Sequence, residues 1–507
     1  MRERFAGLGA VLALALGVGS SPLHAPAATP FEWRGVIQGQ YGQQFSPAQR
    51  QRLLRFMAGN GFNAYVHAPK GDPYQRTLWR DPYPAAQLAT FAAEQQLAAS
   101  LGIEWIPNLS PADPAFSSPG DDGPPGSAPG APICFSSDAD LGQLLAKLEP
   151  FRLAGARTFM LSLDDVKRRF SCAADLAAYG GGALGFGRAN GDLLTRLRDR
   201  LTAVEPAARL LTVAADYRGT SDSAYLRGLR ERLAPGVEVM WTGPEIESRP
   251  FGPAEADSYA ALIGRAPIVW ENWTTNDDVG GTPKRPGRVF LGPYARRPSV
   301  AGHVGGFFFN PANQADLNFL PLATAGDWMR DPGRYRPRRS FLRAVRQLAG
   351  GRAPALRAFA EASYSSSLRG SVEAPTLRRR IRALLRAQSA GGEAEAAARL
   401  RRELRLAASA GRRLRRVPAL RPFVRQAGPV VDSVQLNARA GLLATELLRS
   451  GGAGEREKLR RGLRRARRAA ARWPSETFGN RSGLYGMRDS VVDDFVARVR
   501  QLDRKRG

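Results

Sequence analysis

The sequence contains few of the residue types that bind metals or build catalytic triads. Its 507 residues include two cysteines, Cys134 and Cys172, and three histidines, His24, His67 and His303. Their spacing fits no zinc signature, and the three scattered histidines do not assemble a convincing Ser-His-Asp triad. We therefore expect no metal and no cofactor, and we expect carboxylates to carry any catalysis.

Long apolar runs are absent after the first 29 residues, so we expect no membrane span. Segment 1–29 has two early arginines, an apolar run at 8–18 and small residues at 25–27, which is typical of a cleaved signal peptide. This pattern predicts a secreted, extracytoplasmic protein. In that oxidising environment Cys134 and Cys172 either pair or remain two separate thiols, and the sequence leaves both readings open.

Acidic residues are outnumbered by basic ones. The net charge is +28, and residues 371–507 contribute +20 of it, from 33 Lys and Arg against 13 Asp and Glu. An anionic polymer is one candidate partner for this region. The alternative is a set of solvated helical faces, which the scarcity of aromatic residues there favours. Nothing in the sequence indicates an oligomeric state.

Short apolar runs alternate with segments of helical periodicity from Trp33 onward. Eight runs are strand candidates, the number that closes a parallel barrel: 34–38, 63–67, 103–107, 158–163, 210–214, 237–241, 268–270 and 306–309. The predicted class is α/β, with a (β/α)8 TIM barrel at 30–335 followed by an all-α, Arg-rich helical bundle at 336–507. The helices predicted from periodicity are 47–57, 86–101, 141–153, 191–204, 223–233, 354–367, 375–388, 393–416, 422–449, 455–473 and 490–503.

The apolar run at 158–163 ends in two adjacent carboxylates, Asp164 and Asp165. Neighbouring residues on a strand point in opposite directions, so this pair cannot easily flank one sugar carbon at roughly 5 Å or more, as glycosidase carboxylates usually do. One carboxyl group could instead protonate a leaving oxygen while its neighbour steers a group on the substrate. That division of roles fits a glycosidase mechanism in which the 2-acetamido group of the substrate attacks the anomeric carbon of its own sugar. Taken alone, an Asp-Asp step is more often a turn or a helix cap.

Polar and aromatic residues also follow the other predicted strands. Because the carboxyl ends of barrel strands share one rim, we expect them to form a pocket for a polyhydroxylated ring. Aromatic rings would cover the apolar sugar face, and carboxamides and a lysine would bind hydroxyls. The candidates are Gly39 and Tyr41 after the first strand, Lys70 after the second, Tyr217 after the fifth, Trp270 and Asn272 at the seventh, and Asn310 after the eighth.

Seven segments, in order and spacing, resemble glycoside hydrolase family 84, the retaining β-N-acetylglucosaminidases that include O-GlcNAc hydrolases and enzymes described as hyaluronidases. They are RGVIQGQYGQQFSPAQR, NAYVHAPKGDPYQRTLWRDPYP, FMLSLDDV, WTGPEIESR, VWENWTTND, RVFLGPYARR and GFFFNPANQADLNFLPLAT. The resemblance covers about residues 33–329. It implies a (β/α)8 catalytic domain followed by a helical bundle.

The resemblance also implies a role for each matched residue. Asp164 would polarise the acetamido nitrogen, Asp165 would act first as general acid and then as base, and Tyr217 would position the acetamido carbonyl. The residues that would bind sugar hydroxyls or the acetamido group, or form pocket walls, are Gly39, Tyr41, Lys70, Trp270, Asn272, Asp277 and Asn310. Some positions depart from the family pattern, including Gln38 and Gln40 in the first motif and Glu271 where Asp is common, and these departures bear on substrate preference.

Three functions remain candidates. The first is an exported, exo-acting β-N-acetylglucosaminidase acting on N-acetylglucosamine-containing glycans or glycoproteins through an oxazoline intermediate. The second is a non-catalytic protein that binds glycans or wall polymers through its basic helices. The intact carboxylate pair argues against the second, because a site used only for binding needs no acid. The third is an endo-acting hyaluronidase.

Overall fold

The protein is described by a computed structural model that covers residues 29–116, 130–277, 289–296, 298–366, 368, 373–390, 392–472 and 491–506. Apart from Thr29, the predicted signal segment lies outside these residues. None of the described helices combines the length and apolar composition needed to cross a membrane.

Eight parallel strands form a closed barrel in chain order, and β1 pairs with β8. This confirms the predicted TIM barrel. The strands are β1 Trp33–Gln38, β2 Ala64–His67, β3 Glu104–Leu109, β4 Thr158–Ser162, β5 Arg209–Val213, β6 Val237–Trp241, β7 Ile268–Glu271 and β8 Gly306–Phe309. Every one overlaps its predicted range, because each is a short apolar run buried on both faces.

Ten described helices accompany the barrel or directly follow it. They are α1 Pro47–Ala58, α2 Ala85–Ser100, α3 Asp138–Leu153, α4 Ala173–Tyr179, α5 Gly182–Val204, α6 Ala224–Arg232, α7 Pro253–Ile263, α8 Phe319–Arg330, α9 Pro337–Ala349 and α10 Ala353–Ala360. Periodicity did not predict α4, α7, α8 or α9. It also placed the start of α5 nine residues too late, at Gly191.

The remaining described helices follow in the chain from residue 375 onward. They are α11 Pro375–Ala390, α12 Glu393–Leu414, α13 Arg421–Arg449, α14 Ala453–Ala470 and α15 Val491–Arg504. The prediction of one continuous helix at 422–449 was wrong in one respect, because α13 breaks at Gly428, whose φ of 31° is not helical. Pro429 follows and has no backbone N–H to continue the helical hydrogen bonds.

The hydrophobic core of the helical region extends into the barrel half of the chain. Val289, Leu291, Leu317 and Leu320 belong to the same buried cluster as the apolar residues of α9 to α15. Polar contacts join the same parts: Trp273 Nε1 donates to Ser366 Oγ at 3.1 Å. The barrel half has two further buried clusters of its own, so the two parts meet in one shared cluster, and the division at residue 335 stays a prediction.

Candidate active site

A cavity of about 940 Å³ opens at the carboxyl ends of the barrel strands. Because parallel strands present their carboxyl ends on one rim, residues far apart in sequence meet there. All ten residues singled out from the sequence line this cavity: Gly39, Tyr41, Lys70, Asp164, Asp165, Tyr217, Trp270, Asn272, Asp277 and Asn310.

Asp164, which follows β4, is held by a lysine from the loop after β2, two strands away in the barrel. The residue is 7% exposed, and Lys70 Nζ donates to both of its carboxylate oxygens at 2.8 Å. Burial raises the pKa of Asp164, and the Lys70 charge opposes that rise. Lys70 is therefore the group that favours the ionised form of Asp164 against the effect of burial.

Asp165 has different neighbours, although it is the next residue. Tyr41 Oη and Tyr217 Oη each donate to one of its oxygens at 2.9 Å. Burial, and secondarily the charge of Asp165, raise the pKa of both tyrosines well above the usual value, so both hydroxyls remain neutral donors at physiological pH. Two adjacent carboxylates thus sit in unlike surroundings, one beside a cation and one beside neutral hydroxyls.

The backbone brings both carboxylates to the same cavity. Strand β4 ends at Ser162, two residues earlier than Asp164, so the pair lies in the turn after the strand, and the expectation based on strand geometry does not apply. Asp165 has a φ of 51°, in the left-handed region. Its carbonyl accepts a hydrogen bond from Ala115 N at 2.7 Å, which ties the turn to the loop after β3.

Carboxamides form a hydrogen-bonded chain across the opposite wall. Asn310 Oδ1 accepts from Gly39 N at 3.1 Å, and Asn310 Nδ2 donates to Asn272 Oδ1 at 3.0 Å. The same Asn272 oxygen accepts from Trp270 Nε1 at 2.8 Å. Asp277 Oδ2 accepts from Tyr41 N at 2.6 Å. These contacts fix the orientation of each amide before a ligand enters.

Gly39 permits the indole of Trp270 to lie against the backbone of the first loop. A Cβ atom at Gly39 would lie 2.3 Å from Trp270 Cζ2, a distance that real Cβ atoms do not reach. Glycine is therefore required here by close approach.

Glu271, a departure from the family pattern, takes no part in the cavity. It is 2% exposed and pairs with Arg296 at 2.8 Å, and Tyr294 Oη donates to it at 2.9 Å. These buried partners give Glu271 a structural role.

Several cavity residues were missed from the sequence. Phe116 and Ile246 line the cavity and are 59% and 42% exposed, and Arg168 lines it while paired with Asp216. Ile246 lies within the segment WTGPEIESR but was given no role there, and no motif contains Phe116 or Arg168, because the positions of all three depend on the paths of the loops after β3, β4 and β6.

A disulfide joins Cys134 to Cys172 and so links the loops after β3 and β4. Lys167 and Arg169 both pair with Asp113 across the same two loops. Within the described ranges, one group of residues has the composition of a metal site, Cys134, Cys172 and Asp175, but its two sulfur atoms are bonded to each other. That group therefore offers no thiolate ligand.

A sequence profile of the beta-N-acetylglucosaminidase family matches residues 34–361. The chain belongs to this family. The match extends past the predicted domain division at 335, in agreement with the buried cluster to which both parts contribute.

This β-N-acetylglucosaminidase family member is 29% identical over 301 residues to the Protein O-GlcNAcase of Rattus norvegicus and to that of Mus musculus. Those matches cover 58% of this chain but 29% of the relatives, so the chain spans under a third of their length.

A solved structure gives wider coverage. A mutant of the Thermobaculum terrenum O-GlcNAc hydrolase superposes with a TM-score of 0.75 at 25% identity, over 93% of this chain and 94% of that one. The family member described here therefore shares its architecture across the barrel and the helices that follow. The resemblance found from the seven segments, to glycoside hydrolase family 84, is confirmed.

Proposed function

We propose that the protein is an exported, exo-acting, retaining glycoside hydrolase that removes terminal β-linked N-acetylglucosamine from glycans or glycoproteins. The observation that carries this proposal is the unlike pair of adjacent carboxylates in one cavity. Asp164 is paired with Lys70 at 2.8 Å, and Asp165 accepts from two tyrosine hydroxyls. The family match and the relatives named for O-GlcNAc hydrolysis support the same substrate.

In the proposed first step, the substrate's acetamido oxygen attacks its own anomeric carbon. The bond to the leaving oxygen breaks, and Asp165 gives that oxygen its proton. Asp164, held ionised by Lys70, accepts a hydrogen bond from the acetamido N–H and stabilises the positive charge that develops on the cyclic oxazoline. The Tyr217 hydroxyl, which otherwise donates to Asp165, turns its single proton to the acetamido carbonyl and keeps that group in line.

In the second step, water attacks the anomeric carbon from the face the leaving group vacated. Asp165 is now ionised and takes the proton of the water, and the oxazoline opens to restore the acetamide. Two inversions give net retention of configuration. The groups Gly39, Asn272, Asp277 and Asn310 would bind hydroxyls, with Trp270 and Tyr41 as walls.

Export is proposed from the N-terminal segment, and the disulfide supports it. Disulfides such as the one between Cys134 and Cys172 persist in oxidising compartments and are rare in the cytosol.

The test is hydrolysis of aryl β-N-acetylglucosaminides whose phenol leaving groups differ in acidity. Asp165→Asn should slow cleavage of a poor leaving group by about 10²–10⁴-fold, and a good leaving group much less, since a good leaving group needs no acid. Asp164→Asn should slow both substrates alike, because the charge on the oxazoline is common to both. A thiazoline mimic of that intermediate should bind the unmodified protein more tightly than the product sugar.

Equal effects of the two substitutions on both substrates, or turnover unchanged by Asp165→Asn, would contradict the division of roles. The size of the products from a polymer such as hyaluronan separates exo from endo action. Release of single N-acetylglucosamine residues supports the proposal, and longer fragments would favour an endo-acting hyaluronidase.

A further inference from the structure

Arg76 is a buried arginine close to the cavity, and the proposed mechanism gives it no role. It lies between β2 and α2, is 4% exposed and is not among the described residues that line the cavity. Removal of a guanidinium group from water is costly unless hydrogen bonds and charges compensate it. The groups that Arg76 contacts therefore indicate what its side chain does.

Two nitrogens of the Arg76 side chain donate to main-chain carbonyls on two different loops. Nη1 donates to the carbonyl of Lys70 at 2.8 Å, in the loop after β2. Nη2 donates to the carbonyl of Phe116 at 2.9 Å, in the loop after β3. Because the guanidinium group is planar and rigid, its nitrogens hold the two acceptors at a fixed separation. One side chain thus bridges two loops of the cavity rim.

Each end of this bridge lies next to a contact with one of the two carboxylates. Lys70 Nζ donates to both oxygens of Asp164 at 2.8 Å. Ala115, the residue before the second carbonyl, donates its N–H to the carbonyl of Asp165 at 2.7 Å. Arg76 is therefore connected to Asp164 through Lys70 and to Asp165 through Ala115.

The charge of Arg76 also acts on Asp164. Burial raises the pKa of Asp164, the Lys70 charge opposes this rise most strongly, and the Arg76 charge opposes it as well. The charged and titratable groups that act on Asp164 or respond to it are Lys70, Arg76, Asp165, Tyr41 and Tyr217. Arg76 thus contributes both a fixed geometry and a positive charge.

We propose that Arg76 is a positioning residue, which holds Lys70 and the loop after β3 at the separation that lets Asp164 and Asp165 reach the same sugar. The kinetic part of this inference rests on the proposed function, whereas the bridge between the loops does not. Geometry and charge can be separated by substitution. A lysine keeps the charge, but its one nitrogen on a flexible stem does not reproduce the rigid fork, and a methionine removes both.

The experiment compares Arg76→Lys and Arg76→Met with the unmodified full chain. The matched control is Arg80→Met, since Arg80 lies four residues later, pairs with Asp140 at 2.7 Å and donates to the carbonyl of Ala131. It loses an ion pair and a main-chain hydrogen bond without a connection to either carboxylate. The measurements are kcat and KM for an aryl β-N-acetylglucosaminide as functions of pH, hydrogen–deuterium exchange of segment 110–116, and the melting temperature.

We expect Arg76→Lys to lower kcat about 10–100-fold with KM nearly unchanged, because a small misplacement of catalytic groups slows the reaction more than it weakens binding. Its acid limb should stay in place. Arg76→Met should lower kcat at least as much and move the acid limb to higher pH, since the charge that opposes the raised pKa of Asp164 is lost. Segment 110–116 should exchange about tenfold faster in both variants, the effect of one lost hydrogen bond. Arg80→Met should lower the melting temperature alone.

A purely structural role would lower the melting temperature of the Arg76 variants and leave kcat, the acid limb and the exchange of segment 110–116 unchanged, which would overturn the proposal. Full activity of Arg76→Lys would overturn it too, because the rigid fork would then be unnecessary. If the unmodified protein did not hydrolyse the aryl glycoside, the proposed function would fail, and the exchange measurement would still decide whether Arg76 bridges the loops. Unchanged exchange in that case would overturn the bridge, and faster exchange would support it.

Discussion

At the scale of single residues, Asp164 and Asp165 differ in what surrounds them. A buried carboxylate costs free energy unless a cation or several donors stabilise it, and Lys70 supplies both charge and hydrogen bonds to Asp164. Tyrosine hydroxyls supply hydrogen bonds to Asp165 but no charge. The same side-chain type can therefore serve two chemical roles one residue apart.

Lys70→Met should move the acid limb of the kcat/KM profile to higher pH. Burial already raises the pKa of Asp164, and loss of the Lys70 charge removes the group that opposes the rise. Because the folded-state pKa is then further above the unfolded value, the contribution of Asp164 to stability should be fully present below the unfolded pKa and lost as pH rises through the folded pKa. The measurements are the pH–rate profile and unfolding as a function of pH.

The control for this prediction is Lys505→Met, which removes an exposed lysine remote in sequence from every cavity residue. It should leave the acid limb where it is. A Lys70→Met variant with lower activity but an unmoved acid limb would show that Lys70 acts on the substrate alone.

Gly39→Ala should both destabilise the protein and reduce kcat/KM. The new methyl group would overlap Trp270, so the indole or the first loop must shift, at a cost of about 1–3 kcal/mol. Gly142→Ala is the matched control, since a Cβ there meets nothing within 4 Å and the residue lies within α3. That substitution should stabilise the protein by roughly 0.5–1 kcal/mol. Chemical denaturation gives both values, and the same sign for both variants would contradict the packing argument.

At the scale of elements, the loops after β3 and β4 form a joined unit next to Asp165. The disulfide, the ion pairs of Asp113 and the bond from Ala115 N to the Asp165 carbonyl all connect them. These noncovalent contacts are made by Asp165 itself and by Lys167 and Arg169, which lie nearer to Asp165 in sequence than Cys172 does. The position of Asp165 is therefore maintained mainly by the hydrogen bond and ion pairs between the two loops, whereas the disulfide contributes to the stability of the fold.

Cys134→Ser with Cys172→Ser should lower the free energy of unfolding by about 2–4 kcal/mol, because the unfolded chain gains freedom. Turnover well below the melting temperature should be retained. Reductant should lower the melting temperature of the unmodified protein toward that of the double variant and should not affect the double variant. A double variant with normal stability and no turnover would instead show that the disulfide positions Asp165 and does not stabilise the fold.

The strands and ten of the cavity residues were predictable from the sequence, but other cavity residues and some helices were not. Strand β4 has an apolar centre and is buried along its whole length, so its composition is enough to predict a buried strand. The first half of α5 contains glycines, which have poor helix propensity, yet Gly187 is needed because a Cβ there would lie 2.1 Å from the carbonyl of Tyr225 on α6. Tertiary packing overrides local preference at that contact. Phe116 could not be predicted because a loop path determines its place at the cavity.

At the scale of the whole molecule, the barrel and the helices behind it share buried surface. Val289, Leu291, Leu317 and Leu320 lie in the barrel half yet pack within the helical core. Removal of the helices would expose these side chains to water, and each buried aliphatic residue contributes about 1.5–3 kcal/mol.

Residues 30–335 expressed alone should therefore aggregate or unfold without a cooperative transition. Circular dichroism on heating and limited proteolysis are suitable measurements. Expression together with residues 336–507 in trans should restore a cooperative transition. A fragment 30–335 that melts near the temperature of the full chain would show that the barrel is an independent folding unit, as the predicted boundary implies.

The left-handed backbone at Asp165 restricts which substitutions are informative there. Asparagine and aspartate adopt a φ near +50° more readily than other residues with a side chain, whereas alanine incurs a steric penalty. An alanine variant would thus mix a distorted turn with a missing acid, while an asparagine variant keeps the turn and removes the transferable proton. Because the backbone at position 165 is left-handed, a loss of rate can be attributed to the missing proton donor only when the substituted residue also adopts that conformation.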